Sequence, residues 1–291
     1  MELKAEDLLI LSCVKLEPNA MELDQINSLI PQVQDWDYLI KAIIDRGIGP
    51  LFFKKLTLLS NSSQIPENIK NKLQQVYYKT LSRSTILYMH FRKIAEAFAV
   101  ENIPVIVLKG IYLSEWLYQD IGLRQFSDID LLVKEEDGLK CLAILAELGY
   151  KPIDDIRSNY VKNNLEIIHY PPMVLNGASI EIHIKLQRKS EKYHLFVDDL
   201  WKNAISETVN NTFVFALNNN DLLIHLCIHL DKHFREGHVQ FTCFNDITNL
   251  LDKVANIIDW KVFGNTCRKY NCENIVFKYI CLLYTSPSPR D

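Results

Sequence analysis

Two acidic residues one position apart, Asp128 and Asp130, are the pair in this chain best placed to do chemistry. They open the apolar run DIDLLV, and successive side chains of a strand point to opposite faces. Both carboxylates therefore project from one face, while Ile129, Leu131 and Val133 project into the core. Like charges held side by side repel each other, and a hard cation between them removes the conflict. Magnesium carried on a substrate's phosphates suits such a place, because it takes oxygen ligands and often only one or two from protein carboxylates. The pattern predicts metal-dependent chemistry on a nucleotide.

Several other residues bear on that chemistry. An apolar stretch, VIVL, runs into Lys109-Gly110 and then a helical pattern. Glycine lets backbone come close to a phosphate, a helix N-terminus attracts anions, and Lys109 adds a cation. This is not a Walker A loop, since GxxxxGK[ST] occurs nowhere. Arg124, in the loop before the Asp pair, pairs with a phosphate or fixes the carboxylates, against the plainer account of a surface salt bridge. Ser127 hydrogen-bonds a phosphate or simply caps the turn. In IEIHI, Glu181 and His183 share one face, and Ile180, Ile182 and Ile184 share the other. A carboxylate on a central strand costs free energy unless it has a partner, which a cation held with Asp128 and Asp130 would supply. An edge strand with a polar outer face is the ordinary alternative. His169 and His183 lie on neighbouring expected strands, where each touches nucleotide or acceptor or is structural.

Taken in order, strand–Lys-Gly–helix, Tyr118, Arg124, SDIDLLV and SIEIHIKL (Ser179–Leu186) resemble the bacterial nucleotidyltransferase-like family of the polymerase-β superfamily. DWDYLIKAIIDRGIGPLFFKKL (Asp35–Leu56) and DLLIHLCIHLDKHF (Asp221–Phe234) are similar to that family's flanking helical regions. The resemblance implies an α+β fold, with a small mixed nucleotidyltransferase-type β-sheet flanked by N-terminal and C-terminal helical regions. It implies Asp128, Asp130 and Glu181 as catalytic, metal-binding carboxylates for one or two magnesium ions, with a nucleoside triphosphate as co-substrate. Lys109, Gly110, Arg124 and Ser127 become nucleotide-binding residues, and His169 and His183 substrate contacts. The superfamily usually has Gly-Ser where this chain has Lys-Gly, so a serine hydroxyl is missing. The implied activity moves a nucleotidyl group onto a hydroxyl or amine of a small molecule, peptide or protein, releasing pyrophosphate. A phosphotransferase on the same site and a catalytically silent binding module are the alternatives. Members of the family occur beside peptide-natural-product genes, which points to a tailoring role in bacteria.

These residues need elements to position them. Residues 1–100 read as a helical region, with apolar stripes at Leu8–Leu16 and Trp36–Ile44, Gly47 as a stop, and a long helix after Pro66. The α/β core is expected over 101–217, with strands at 104–108, 129–134, 165–170 and 179–186 and helices at 111–120 and 136–148. A hairpin is expected around Asn176-Gly177, and a short β segment over 205–216. A C-terminal helical region covers 218–280, with helices at 219–235, 239–257, 259–271 and from Glu273. CLLYTSPSPRD (281–291) looks like a translated library adaptor, a non-native tail on a metagenomic fragment whose native chain continued past Ile280. Its Ser-Pro-Ser-Pro run is expected to break the helix.

Bulk properties narrow the class. The formal charge is −4 at pH 7 over 291 residues, which argues against a broad footprint on nucleic acid. The N-terminus lacks a signal-peptide pattern, and no apolar run reaches the ~18 residues of a membrane span. Seven cysteines without CxxC spacing read as reduced, mostly buried thiols of a cytoplasmic protein. His225, His229 and His233 recur every fourth residue, with His238 and Cys243 beyond. Interleaved leucines and the lack of HExxH make this stripe read as a packed helix rather than a transition-metal site.

Overall fold

The computed structural model describes residues 3–153, 167–237 and 241–285. The chain divides into two compact units, each threaded from three segments. Unit 1 comprises Met1–Ser84, Leu113–Gln125 and His229–Lys253, and unit 2 comprises Thr85–Tyr112, Phe126–Ile228 and Val254–Asp291.

Unit 1 is helical. Helices α1 (Ala5–Ser12), α2 (Ala20–Leu29), α3 (Trp36–Asp45) and α4 (Gly49–Leu56) bury Leu9, Ile26, Leu39, Ile43 and Phe52. Local chemistry sets their ends. Asn19 and Glu22 form a reciprocal capping box on α2, and the Asp35 carboxylate accepts from the Tyr38 amide to cap α3. Gly47, at φ +74, turns the chain out of α3 as expected. Lys55 is buried, with its ammonium donating to the carbonyls of Cys13 and Lys15, and burial pushes its pKa down to about 8. Helix α5 (Glu67–Val100) follows Pro66, and its portion up to Ser84 belongs here. On α5 Leu73, Leu87 and Phe91 are buried, while Tyr78 and Ile86 are exposed. Tyr78 stands one residue from Tyr77 and Ile86 one residue from Leu87, and one residue turns a side chain about 100° round the helix.

Unit 2 holds a mixed seven-stranded sheet in the order β3-β4-β5-β2-β1-β7-β6. The strands are β1 (Ile106–Val107), β2 (Asp128–Leu132), β3 (Lys151–Pro152), β4 (Met173–Leu175), β5 (Ala178–His183), β6 (Ile205–Val209) and β7 (Thr212–Ala216). β2 pairs in parallel with β5 and antiparallel with β1, and β1 pairs in parallel with β7. Two tight turns set the outer registers. Asn176-Gly177 joins β4 to β5 and Asn210-Asn211 joins β6 to β7, with positive φ at both residues of each turn. That geometry matches the twist of a two-residue hairpin loop. The single β segment expected over 205–216 is thus a hairpin. The strand expected at 165–170 contributes a bridge from His169 to His183, and its first two residues lie outside the described ones.

Helices α6 (Lys109–Trp116), α7 (Gly138–Glu147), α8 (Val197–Asn203), α9 (Asn219–Arg235), α10 (Phe241–Val254), α11 (Trp260–Lys269) and α12 (Glu273–Thr285) complete the described elements. α12 runs on through Thr285 and so takes in the first residues of the adaptor-like tail, while the Ser-Pro-Ser-Pro run lies outside the described residues. Their types, Cys-Leu-Leu-Tyr-Thr, suit a helix, and the prolines come only afterwards. Every cysteine is a free thiol, and all but Cys281 are buried. Among the described residues no helix is long and apolar enough to cross a membrane.

Candidate active site

Strand register builds the site. In the parallel ladder of β2 and β5, Asp128 stands beside Ser179, Asp130 beside Glu181, and Leu132 beside His183. Burial along β5 alternates over ASIEIH, with Ile180 and Ile182 in the core and Glu181 and His183 on the opposite, half-buried face. Asp130 is only 5% exposed, and both of its oxygens are engaged. Lys109 Nζ lies 3.0 Å from Oδ2, and His183 Nε2 lies 3.0 Å from Oδ1. The same Nε2 lies 3.5 Å from Glu181 Oε2, an ionic contact too long for a good hydrogen bond. Lys109 begins α6 with φ +27, a left-handed conformation that costs a non-glycine residue about 1–3 kcal/mol.

The charges sort themselves consistently. Burial disfavours ionisation of Asp130, yet the Lys109 ammonium and the His183 imidazole hold its pKa well below the usual carboxylate range. Glu181 is lowered too, chiefly by His183 against the opposing effect of burial. Burial works against charging His183, but Asp130 and Glu181 together raise its pKa above the ordinary histidine value. Asp128 goes the other way: burial and then the charge of Asp130 raise it, with Lys109 opposing. Asp130 is thus held as an anion, while burial and that anion make its neighbour Asp128 harder to ionise.

Not every expected residue joins this group. Ligand atoms of Asp130, Glu181 and His183 lie within 4.8 Å of one another, and Asp128 shares their face and field without belonging to that set. Ser127 is exposed in the turn before β2. His169 pairs by backbone with His183, their ring centroids are 5.1 Å apart, and its Nδ1 meets the Tyr170 carbonyl. Arg124 is a buried residue of unit 1. Its Nε and Nη2 donate to the two oxygens of Asp246 at 2.9 and 2.7 Å, and the Tyr118 hydroxyl donates to the same carboxylate at 2.8 Å. The salt bridge of Arg124 is thus buried instead of lying at the surface, and its described partner is an internal carboxylate.

Gly110 has a packing role that its place in the sequence does not show. A Cβ there would stand 2.9–3.2 Å from Cδ2, Cγ and Cβ of Phe126, the rigid near end of a side chain. Gly110→Ala is therefore expected to destabilise the protein by about 1–3 kcal/mol, the usual cost of overpacking. Urea denaturation checks this, and an unchanged midpoint would show that Phe126 yields freely.

His225 of α9 is a site neighbour that the sequence reading placed only in a packed stripe. It is buried, and burial together with the nearby Lys109 charge pushes its pKa down to about 3. Asp130 and His183 also act on it, so a neutral imidazole sits in the field of the carboxylate group. Only the sheet and α9 seen together reveal this, because 42 or more residues separate His225 from each of the others in sequence.

No curated protein matches the sequence. Among solved structures, the antibiotic-resistance factor ANT(2'')-Ia in solution shares 11% identity at a TM-score of 0.46, covering 66% of this chain and 96% of its own. The crystal structure of ANT(2'')-Ia with adenylyl-2''-tobramycin shares 10% identity at 0.43, covering 66% and 95%. A family model described as an uncharacterised nucleotidyltransferase matches residues 32–285.

Proposed function

The chain belongs to the uncharacterised nucleotidyltransferase family, and from that membership we propose magnesium-dependent transfer of a nucleoside monophosphate from a triphosphate to a hydroxyl or amine. The observation that carries the metal requirement is the paired register of Asp130 and Glu181, with Asp128 on the same face. The donor set fits the ion. Two of the three gathered ligands are carboxylates, which are hard oxygen donors, and Asp128 adds a third carboxylate on the same face. Asp130 and Glu181, with Asp128 beside them, would hold one or two magnesium ions. When bound, magnesium would neutralise the phosphates and steady the departing pyrophosphate.

The protein's own share is orientation. Lys109 occupies Asp130 in the free protein and, at the first position of α6, is close enough to exchange that carboxylate for a phosphate oxygen. The amide end of α6 adds partial positive charge to the same place. His183 holds Asp130 and bears on Glu181 through one nitrogen, which keeps the two carboxylates in register. Glu181 stays ionised, so it can accept a hydrogen bond from the incoming hydroxyl or amine and aim it at the α-phosphorus. A carboxylate this acidic is a weak base, and its contribution is aim more than proton removal.

The near-balanced charge, −4 over the whole chain, supports a small-molecule, peptide or protein acceptor over a nucleic acid. We also place the reaction in the cytoplasm, where seven free thiols stay reduced.

One observation favours a second reading. Both oxygens of Asp130 are already engaged, as they would be in a scaffold that has ceased catalysis and only binds. Incubating the protein with each α-labelled triphosphate, magnesium and a panel of amine, alcohol and peptide acceptors separates the alternatives. Label in an acceptor together with pyrophosphate is the expected result. Nucleoside diphosphate as product would indicate a phosphotransferase, and neither product would favour the silent module.

A further inference from the structure

A second group of ligand-type side chains lies in unit 1, apart from the carboxylates on β2 and β5. His229 and His233 are one turn apart on α9, so their rings share one stripe of that helix. Their Nε2 atoms are 3.1 Å from each other, with ring centroids 4.3 Å apart and planes at 72°. Cys243, in the first turn of α10, is buried and brings its sulfur to them. One ligand atom from each of His229, His233 and Cys243 lies within 4.8 Å of the other two.

From this convergence we infer that His229, His233 and Cys243 form a binding site for one thiophilic divalent cation of the zinc class. Spacing supports it. With zinc bonds of about 2.0–2.1 Å to nitrogen and 2.3 Å to sulfur, tetrahedral ligand atoms stand roughly 3.3–3.6 Å apart. The two Nε2 nitrogens, at 3.1 Å, stand slightly closer than that range, and the sulfur lies within 4.8 Å of a ring nitrogen of each histidine. A hydrogen bond between the two rings is the plain alternative. A cation uses all three. The donor types also select the ion: a thiolate and two imidazoles suit zinc, whereas magnesium takes oxygens. With three protein ligands one coordination position stays open, for water or a further group.

Three histidines along a stripe overreach one ion, but His225 is a buried residue among Lys109, Asp130 and His183 in unit 2. The remaining two are left for the cation, with the third ligand supplied by the next helix. An ion there would tie the end of α9 to the start of α10 across the connecting residues, and so brace unit 1.

The test uses full-length protein without a histidine tag, dialysed against a weak chelator and then titrated with zinc or cobalt. About one equivalent of zinc bound per chain is expected, with an increase in melting temperature. Cobalt is expected to give a thiolate-to-metal charge-transfer band and the visible bands of a tetrahedral site. Cys243→Ser should abolish the charge-transfer band, and His233→Gln should weaken zinc binding at least about tenfold. Asp130→Asn should leave both unchanged, which separates this site from the carboxylate group. Should Cys243→Ser fail to fold, the cobalt spectrum of the wild type and the His233→Gln titration still decide. Background zinc in the wild type, a cobalt spectrum lacking the thiolate band, or zinc binding lost in Asp130→Asn but kept in His233→Gln would overturn the assignment.

Discussion

Asp130→Asn is expected to lower nucleotidyl transfer by about 10³-fold while leaving the protein folded. The magnitude is that of removing one preorganised charged or polar group from a reacting centre. Lys109 and His183 both contact this carboxylate, and the proposed magnesium would depend on it too. Asparagine keeps the shape of the side chain and removes the charge. The loss should therefore appear in kcat and in divalent-ion affinity, with only a modest change in melting temperature. Steady-state pyrophosphate release, manganese titration and thermal unfolding measured on the same preparation keep these effects apart. Full transfer activity in Asp130→Asn would remove the carboxylate group from the mechanism altogether.

Neighbouring variants refine that expectation. Glu181 contacts His183 at the long distance of 3.5 Å and is more exposed than Asp130, so its role is less constrained by other protein groups. Glu181→Gln is accordingly expected to cost less than Asp130→Asn. The strain at Lys109 bears on the same centre. A lysine at φ +27 returns its side chain onto Asp130, and a gain in ion pairing offsets a backbone conformation that glycine would adopt more easily.

Much of this centre was legible in the sequence, for a physical reason. Strand periodicity is local, so the common face of Asp128 and Asp130, and that of Glu181 and His183, follow from counting residues. Helix limits set by Pro66 and Gly47 are also local, and they fall where composition puts them. Register between distant strands is not local. That Asp130 stands beside Glu181, and that His183 bridges both, depends on the parallel pairing of β2 and β5. The same limit applies to Arg124. Its spacing from Asp128 suits a phosphate contact, and only folding brings α10 and the Asp246 carboxylate to it. Gly110 shows a third kind of illegibility, because the ring that excludes a Cβ comes from Phe126, across α6 and the following loop.

Asp246→Ala should be the most destabilising single change in unit 1, costing about 3–5 kcal/mol. Asp246 is 1% exposed and accepts two hydrogen bonds from Arg124 and one from Tyr118. Alanine would leave a guanidinium buried without a counter-charge and a hydroxyl without its acceptor, and burial of an uncompensated charge outweighs the lost contacts themselves. Replacing both partners by apolar residues of similar size, as in Arg124→Met with Asp246→Leu, should restore most of the stability, since no charge then remains to be desolvated. Urea midpoints of the two single variants and the double variant measure this directly, and a loss below about 1 kcal/mol for Asp246→Ala would contradict it. The double variant also decides what Arg124 does. If the arginine serves only the fold, triphosphate affinity survives once stability is restored. Were it to reach the nucleotide, affinity would fall in the double variant even though the protein is as stable as the wild type.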